Sequence, residues 1–220
     1  MDETGSCNSR TESTDNLISS GCICLQHDPC FANEHPSKPR MRPYPVQYVF
    51  PFTLRDNTEV TLRPIRPEDE PMMRKFHTTL SDRTVYMRYF CSLSLSSRIS
   101  HERLLHICFA DYDHQIALVV EREDPLTGER SILGVGRLSK FGANNEAEVA
   151  IVVSDEHQRK GLGKELLRRL MQVGREEGIA RLSGEILCDN IAVLSMFNKA
   201  GFTVHMLSDS SSVKAVLDLN

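Results

Sequence analysis

The chain has 220 residues, of which 40% are hydrophobic and 25% charged, the balance of a globular protein with one ordinary domain and some excess length. Trp is absent and aromatic residues reach only 6%, which argues against stacking platforms for single-stranded nucleic acid. Residues 1–40 hold three Lys/Arg and six Asp/Glu, which leaves 23 against 24 in the rest of the chain. The body therefore lacks the basic excess of proteins that bind phosphate backbones, and we expect no nucleic-acid partner.

Neither a membrane nor a metal is indicated. No apolar run approaches the roughly 18 residues that a membrane span needs, and the acidic first residues lack the features of a signal peptide, so we expect a cytoplasmic protein. The seven cysteines are an odd number without a secretion signal, which argues against a disulfide framework. Cys22, Cys24, His27 and Cys30 form a possible zinc set, but their spacing differs from that of common zinc knuckles. We expect no metal.

Composition divides the chain into three parts. Residues 1–40 are rich in Ser, Thr, Asn, Asp and Pro and show no apolar period, which predicts a disordered tail. Residues 41–58 are interpreted as a Pro-containing linker and a lead-in strand, and 59–220 as the folded domain. Within it, residues 59–63 alternate as a strand does, and residues 64–69 end that strand and begin a helix. Ser81 is predicted to cap a second short helix.

Regular elements continue to the end of the sequence. Residues 116–120, 131–138 and 146–153 are strand-like and joined by short connections, which predicts an antiparallel meander. An amphipathic helix follows from Leu162, with Gly178 at its end. Residues 182–187 then indicate a strand, 191–200 a helix, and 202–207 and 213–219 closing strands. The predicted fold is mixed α/β (α+β type), with a central, mostly antiparallel sheet flanked by helices.

The segment before the amphipathic helix carries the clearest functional signal. A buried strand ends and two glycines open the helix, in the order Gln158, Arg159, Lys160, Gly161, Leu162, Gly163, Lys164. Unpaired N–H groups at a helix start favour a phosphate, and glycines allow it to approach the backbone closely. The alternative is a tight strand-to-helix turn with no ligand. The glycine spacing fits neither a Walker loop nor a dinucleotide-binding fingerprint.

These residues resemble the GNAT superfamily of N-acetyltransferases. The family's main motif, Arg/Gln-x-x-Gly-x-Gly/Ala, is matched by residues 158–163, and a second signature is matched in part by residues 190–193, 196–197 and 200–202. The resemblance covers residues 59 to the C-terminus. It implies the GNAT fold, with acetyl-CoA as co-substrate. The cofactor-binding residues that it implies, beyond Gln158 to Lys164, are Ile151, Val152, Val153 and Asn190.

A narrower resemblance concerns the bacterial protein lysine acetyltransferases. It rests on MRPYP at 41–45, LRPIRPED at 62–69 and EAEVA at 146–150. In that family the first stretch joins the acetyltransferase domain to a region like an acyl-CoA synthetase, whereas residues 1–40 here resemble nothing in that region. The resemblance implies a protein lysine as acceptor, for which an acyl-CoA synthetase is one candidate.

The same resemblance implies a catalytic residue. A lysine amine is protonated at neutral pH, so a carboxylate must accept its proton. Glu148 occupies the matching Ala-Glu-x-Ala position, on the face of the predicted strand that also carries Glu146, Ala150 and Val152. The alternative is a solvated acid at a strand end, and Glu156 is a second candidate base. A backbone N–H near 151–153 is expected to polarise the thioester carbonyl.

One position departs from the family. Many members use a Tyr on the last helix as general acid, and Phe197 stands there. Its ring cannot donate a proton, so that the thiolate leaves unaided or takes a proton from water. Two other functions stay open: acetylation of a small amine or a protein N-terminus, and a non-catalytic module that senses acetyl-CoA.

A chain that begins at Met41 should unfold at a temperature similar to that of the full chain, because the composition of residues 1–40 cannot bury a core. Calorimetry of both chains checks this. Stoichiometric zinc in the full-length chain, or a large loss of stability on truncation, would contradict it.

Overall fold

The structure is a computed structural model that describes residues 42–141, 145–207 and 211–219. The tail 1–40 and its possible zinc set lie outside these ranges. Within them, no helix is long and apolar enough to cross a membrane, and no group of His, Cys, Asp and Glu is arranged to hold a metal.

Eight strands form one sheet in the order β1-β2-β3-β4-β5-β6-β8-β7. All neighbouring strands are antiparallel except β5 and β6, which run parallel. The mixed, mostly antiparallel sheet predicted above is thereby confirmed, with β3, β4 and β5 as its meander. The strands are β1 (Phe50–Thr53), β2 (Glu59–Pro64), β3 (Gln115–Glu123), β4 (Arg130–Phe141), β5 (Glu146–Val153), β6 (Arg181–Leu187), β7 (Thr203–Met206) and β8 (Ser212–Asp218).

Helices cover parts of both faces of the sheet. They are α1 (Glu70–Thr78), α2 (Asp82–Tyr89), α3 (Leu95–Arg98), α4 (His101–Cys108), α5 (Leu162–Glu176) and α6 (Ile191–Lys199). Three short 3₁₀ turns, at Val46–Tyr48, Pro67–Asp69 and Asp155–His157, complete the described elements. Ser81 caps α2, since its hydroxyl accepts a hydrogen bond from the Thr84 N–H, and Gly178 follows the end of α5 with a φ of 70°. Both agree with the sequence prediction.

Each face of the sheet has its own core. The apolar stripe of α5, at Leu162, Leu166, Leu167, Leu170 and Val173, is fully buried against one face, together with α6. Helices α1, α2 and α4 bury Phe76, Val85 and Leu104 against the other face, where they meet Val152 of β5. The sheet thus separates α5 and α6 from α1 to α4.

Glu177, just after α5, fastens the segment that precedes β1. Its side chain is 8% exposed and accepts hydrogen bonds from Arg42 Nη1 (2.9 Å), Tyr48 Oη (2.9 Å) and Lys140 Nζ (3.1 Å). Burial opposes ionisation of the carboxyl, but these hydrogen bonds outweigh it, and the net effect is a lowered pKa of Glu177. The residues from Arg42 to Tyr48 are therefore part of the folded unit rather than a free linker.

Glu177→Gln should lower the free energy of unfolding at pH 7 by about 1–3 kcal/mol, since charge-assisted hydrogen bonds to a buried acceptor are lost. Because the folded-state pKa lies below the ordinary value of 4.5, the stabilisation is complete above that pH and disappears as pH falls through the lowered value. Urea unfolding of both proteins from pH 7 to pH 3 measures the difference. Glu176→Gln is the control, because Glu176 is exposed and accepts one bond from Gln172.

Candidate active site

The site lies where the parallel strands β5 and β6 part. Their register runs from Glu146 opposite Arg181 to Glu148 opposite Ser183 and then stops, although β5 continues to Val153 beside β4. Beyond Val149, the backbone groups of β5 that point away from β4 therefore face a gap instead of a strand. A gap lined by unpaired backbone groups offers hydrogen-bond partners to a ligand.

The loop after β5 has the conformation of an anion-binding site. Arg159 has a φ of 61° and Gly161 a φ of 98°, so left-handed residues alternate around Lys160. Such alternation turns successive N–H groups toward one concavity, the arrangement known as a nest. Gly161 is also the N-cap of α5, whose first N–H groups have no side-chain cap. The loop and the helix dipole together favour a phosphate group at this position.

The carboxylate of Asp155 links this loop to the start of helix α2 through hydrogen bonds. It accepts hydrogen bonds from the Ser81 N–H and hydroxyl, the Thr84 hydroxyl and the Gln158 amide. The Gln158 amide also donates to the carbonyl of Val153 (3.2 Å) and to Thr84 Oγ1 (3.1 Å). The first turn of α2, the end of β5 and the start of the loop are thereby held as one unit.

A cavity of about 1150 Å³ runs from the loop into the gap and reaches both helical layers. Its cationic lining residues are Arg55, Arg83, Arg88, Arg159, Lys164, Arg168 and Lys199, against two acids, Asp155 and Asp189. The cavity is therefore positive although the chain as a whole has a net charge of −4. A polyanionic ligand is attracted to such a cleft.

Most of the residues predicted to bind the cofactor line this cavity. They are Ile151, Val152, Val153, Gln158, Arg159, Gly161, Gly163, Lys164 and Asn190. The other two have side chains that point elsewhere. Lys160 forms an ion pair with Asp56 in the β1–β2 turn (2.9 Å), and Leu162 is buried in the core under α5.

Glu148 occupies the last paired position of β5, at the vertex of the gap. Ala147 and Val149 are buried under α5, so the strand alternation directs Glu148 to the opposite face, as predicted. Its neighbours across the two ladders are the buried serines Ser139 on β4 and Ser183 on β6. The Glu148 side chain therefore lies on the face opposite α5, and it is not among the residues that line the cavity.

Helix α6 forms the β6 side of the gap. Asn190 caps it by accepting a hydrogen bond from the Val193 N–H (3.4 Å). Phe197 is 2% exposed, and its ring packs on Phe202 with centroids 4.7 Å apart. It also packs on Gly184, where a Cβ would come within 2.9 Å of Phe197 Cε1. This position is part of the core, and it has no proton to donate.

Sequence reasoning missed the contribution of α2 and the β1–β2 turn. Arg83 and Arg88 of α2 and Arg55 of the turn line the cavity, and no motif indicated them. Glu156, the second candidate base, is exposed in the 3₁₀ turn and does not line the cavity. In the same turn, burial and the nearby Lys160 lower the pKa of His157, which favours its neutral form.

Comparison with known proteins gives consistent matches. A family model described as Acetyltransferase (GNAT) domain matches residues 59–203. An acetyltransferase of Pseudomonas aeruginosa is 28% identical over 161 residues, which are 73% of this chain and 83% of that protein. The acetyltransferase Pat of Mycolicibacterium smegmatis is 28% identical over 152 residues, which are 69% of this chain and 43% of Pat. The chain thus spans less than half the length of Pat.

A solved structure agrees with these matches. The GNAT domain of S. lividans PAT has a TM-score of 0.70 and 27% identity, and the match covers 80% of this chain and 99% of that domain. The family model spans most of the described fold, including β5, the glycine loop and α6. The chain therefore belongs to the acetyltransferase (GNAT) domain family and is an acyltransferase.

Proposed function

We propose that the protein transfers the acetyl group of acetyl-CoA to a lysine side chain of a protein, by direct attack with Glu148 as general base. The observation that carries the proposal is the gap between β5 and β6. Residues of both helical layers line a positively charged cleft beside it, and Glu148 lies at the last paired position of β5 with its side chain on the face opposite α5. Two substrates can then meet in the gap without exchanging places, as direct transfer requires.

The cofactor half of the proposal is supported by charge and backbone conformation. The N–H groups of the loop around Gly161 and the first turn of α5 bind the pyrophosphate. The pantetheine arm follows the gap along Ile151 to Val153, where β5 has no partner on the β6 side. A backbone N–H of this segment hydrogen-bonds the thioester oxygen, whose negative charge grows in the transition state.

The acceptor half is supported by the position of Glu148. An amine that enters from the α1–α4 face meets this carboxylate first, loses its proton to it and attacks the carbonyl carbon. The C–N bond forms, the C–S bond breaks, CoA leaves as a thiolate, and the second proton of the acceptor nitrogen passes to solvent. A thiol has an ordinary pKa of about 8.5, so the thiolate leaves without a general acid, which agrees with a buried Phe197.

The surface beside the gap favours a protein over a small amine. On the face that carries Glu148, the ladder aligns the exposed side chains of Glu185, Lys214 and His205 across β6, β8 and β7. This exposed, polar sheet surface extends from the strand next to Glu148, and it offers a docking face for a protein. The resemblance of residues 62–69 and 146–150 to bacterial protein lysine acetyltransferases supports the same acceptor class.

The acceptor is tested by single-turnover transfer from labelled acetyl-CoA to a panel of proteins and small amines. Label on lysines of protein acceptors supports the proposal. Label on small amines or N-terminal amines alone would contradict the acceptor class, and binding without any transfer would indicate a sensor module.

Gly161→Asp should weaken acetyl-CoA binding by roughly 10- to 100-fold, because a carboxylate then occupies the phosphate position. Calorimetric titration of acetyl-CoA measures the affinity. Gly178→Asp is the matched control, since Gly178 also has a positive φ with open space around it but lies at the far end of α5. Unchanged affinity in Gly161→Asp would exclude the proposed cofactor site.

Glu148→Gln should keep the fold and the acetyl-CoA affinity but lower the transfer rate by roughly 10²- to 10⁴-fold. The deficit should shrink as pH rises, because more of the acceptor amine is then neutral without a base. Single-turnover rates between pH 6.5 and 9.5 measure both effects.

Two other carboxylates serve as comparisons for Glu148. Glu146→Gln changes an acid on the same face that is paired with Arg181 (3.4 Å), and Glu156→Gln changes the second candidate base. Both variants should transfer at nearly the wild-type rate. A wild-type rate in Glu148→Gln at neutral pH would reject its role, and a large loss in Glu156→Gln would transfer that role to the turn.

A further inference from the structure

The hairpin between β1 and β2 brings an arginine to the phosphate loop from outside the matched family region. Arg55 lies in the hairpin turn, whereas the family model begins at residue 59. Its side chain lines the cavity, and its Nε lies 3.8 Å from the position that a Cβ on Gly161 would take. A guanidinium thus stands beside the N-cap glycine of α5.

The neighbours of Arg55 hold the turn against the loop. Asp56 forms the ion pair with Lys160 of the loop and accepts a hydrogen bond from the Thr58 N–H (3.2 Å). Leu54 is 3% exposed and bonds through its N–H to the carbonyl of Thr58 (2.8 Å). The backbone of Arg55 is therefore fixed on both sides by contacts that do not involve its own side chain.

Strand β1 is also fixed to the helix that the loop opens. The guanidinium of Arg169 on α5 lies 3.9 Å from the ring centroid of Phe50. The hairpin consequently keeps its place relative to the N-terminus of α5, where the phosphate site lies.

The side chain of Arg55 itself has no partner among the residues that the structure describes. Within residues 42–141, 145–207 and 211–219 it takes part in no hydrogen bond or ion pair, whereas Arg168, another cation of the cavity, is paired with Glu165 (2.6 Å). A planar guanidinium presents a fork of N–H donors that matches two phosphate oxygens. An unpaired fork beside a phosphate-binding loop has the chemistry of a second phosphate ligand.

We propose that Arg55 binds a phosphate group of acetyl-CoA, as a ligand that this chain adds to the glycine loop. The inference rests on the proposed function of the cleft. It assigns to the hairpin the role of a clamp: Asp56 and Lys160 place the turn, and Arg55 makes the contact. The phosphate is either part of the pyrophosphate or the 3′-phosphate of the ribose, and two forms of the ligand separate these.

The test compares wild type, Arg55→Ala and Arg55→Lys by calorimetric titration with acetyl-CoA and with 3′-dephospho-acetyl-CoA. Arg55→Ala should raise the Kd of acetyl-CoA by roughly tenfold, with a smaller rise in Arg55→Lys. The kcat at saturating acetyl-CoA should not change. Arg130→Ala is the control, since Arg130 is exposed at the start of β4 and lies outside the cavity. Its Kd should equal that of wild type.

The ligand series locates the contact. If Arg55 binds the 3′-phosphate, wild type and Arg55→Ala bind the dephospho form equally, and if it binds the pyrophosphate, the tenfold difference persists. Either result supports the proposal. With S-acetylpantetheine, which has no phosphate, kcat/KM should be the same in both proteins.

Equal affinities of wild type and Arg55→Ala for acetyl-CoA would overturn the inference while leaving the proposed function intact. So would an equal loss of kcat/KM with S-acetylpantetheine, because the substitution would then act through the fold. Failure of wild type to bind acetyl-CoA would overturn the proposed function itself, and the role of Arg55 with it.

Discussion

The early end of the β5–β6 ladder is the constraint on which the site depends. Two parallel strands that remained paired to Val153 would satisfy their own backbone groups and leave no room for a ligand. Gly184 stands at the point where the strands part, and a Cβ there would meet Phe197 Cε1 at 2.9 Å and the carbonyl oxygen of Val149 at 3.1 Å. Its missing side chain lets α6 pack against β6 while β5 stays within reach. Close packing of Gly184 against Phe197 and Val149 thus fixes the end of the gap at which the strands part, and the cavity opens from that end.

Local sequence patterns were sufficient to predict the bounds of the strand and helix nearest the site. The bounds of β5 match the strand interpreted at 146–153, and α5 begins at Leu162 as its apolar period indicates. The spatial order of the strands depends on non-local pairing, and nothing local indicates that β8 lies between β6 and β7. Helices α3 and α4 were not predicted, because they are short and interrupted by polar residues, although α4 buries Leu104, Ile107 and Cys108.

The candidate site likewise combines features that local sequence indicates with features that depend on the three-dimensional fold. The glycine loop was indicated by its local sequence together with the family resemblance, because the backbone groups proposed to bind phosphate are consecutive in the chain. The cations that line the rest of the cleft come from α2 and the hairpin, roughly 70 to 100 residues earlier in the chain, and their convergence is a property of the fold. The sequence position of a charged residue also does not show where its side chain points. Lys160 belongs to the loop, but it is paired with Asp56, and a chain with a net charge of −4 has a positive cleft.

The shared carboxylate of Asp155 has a thermodynamic consequence. It bonds the first turn of α2, on the face proposed for the acceptor, and Gln158, which begins the loop proposed to bind acetyl-CoA. A displacement of α2 must carry the loop with it or break these hydrogen bonds, so in the proposed function both substrates act on one network. Such linkage is reciprocal: whatever affinity acetyl-CoA adds for the acceptor, the acceptor adds for acetyl-CoA, and couplings between sites are typically about 1–3 kcal/mol. In the proposed function, cooperation between the two substrates then requires no moving domain, because Asp155 bonds both sides of the site.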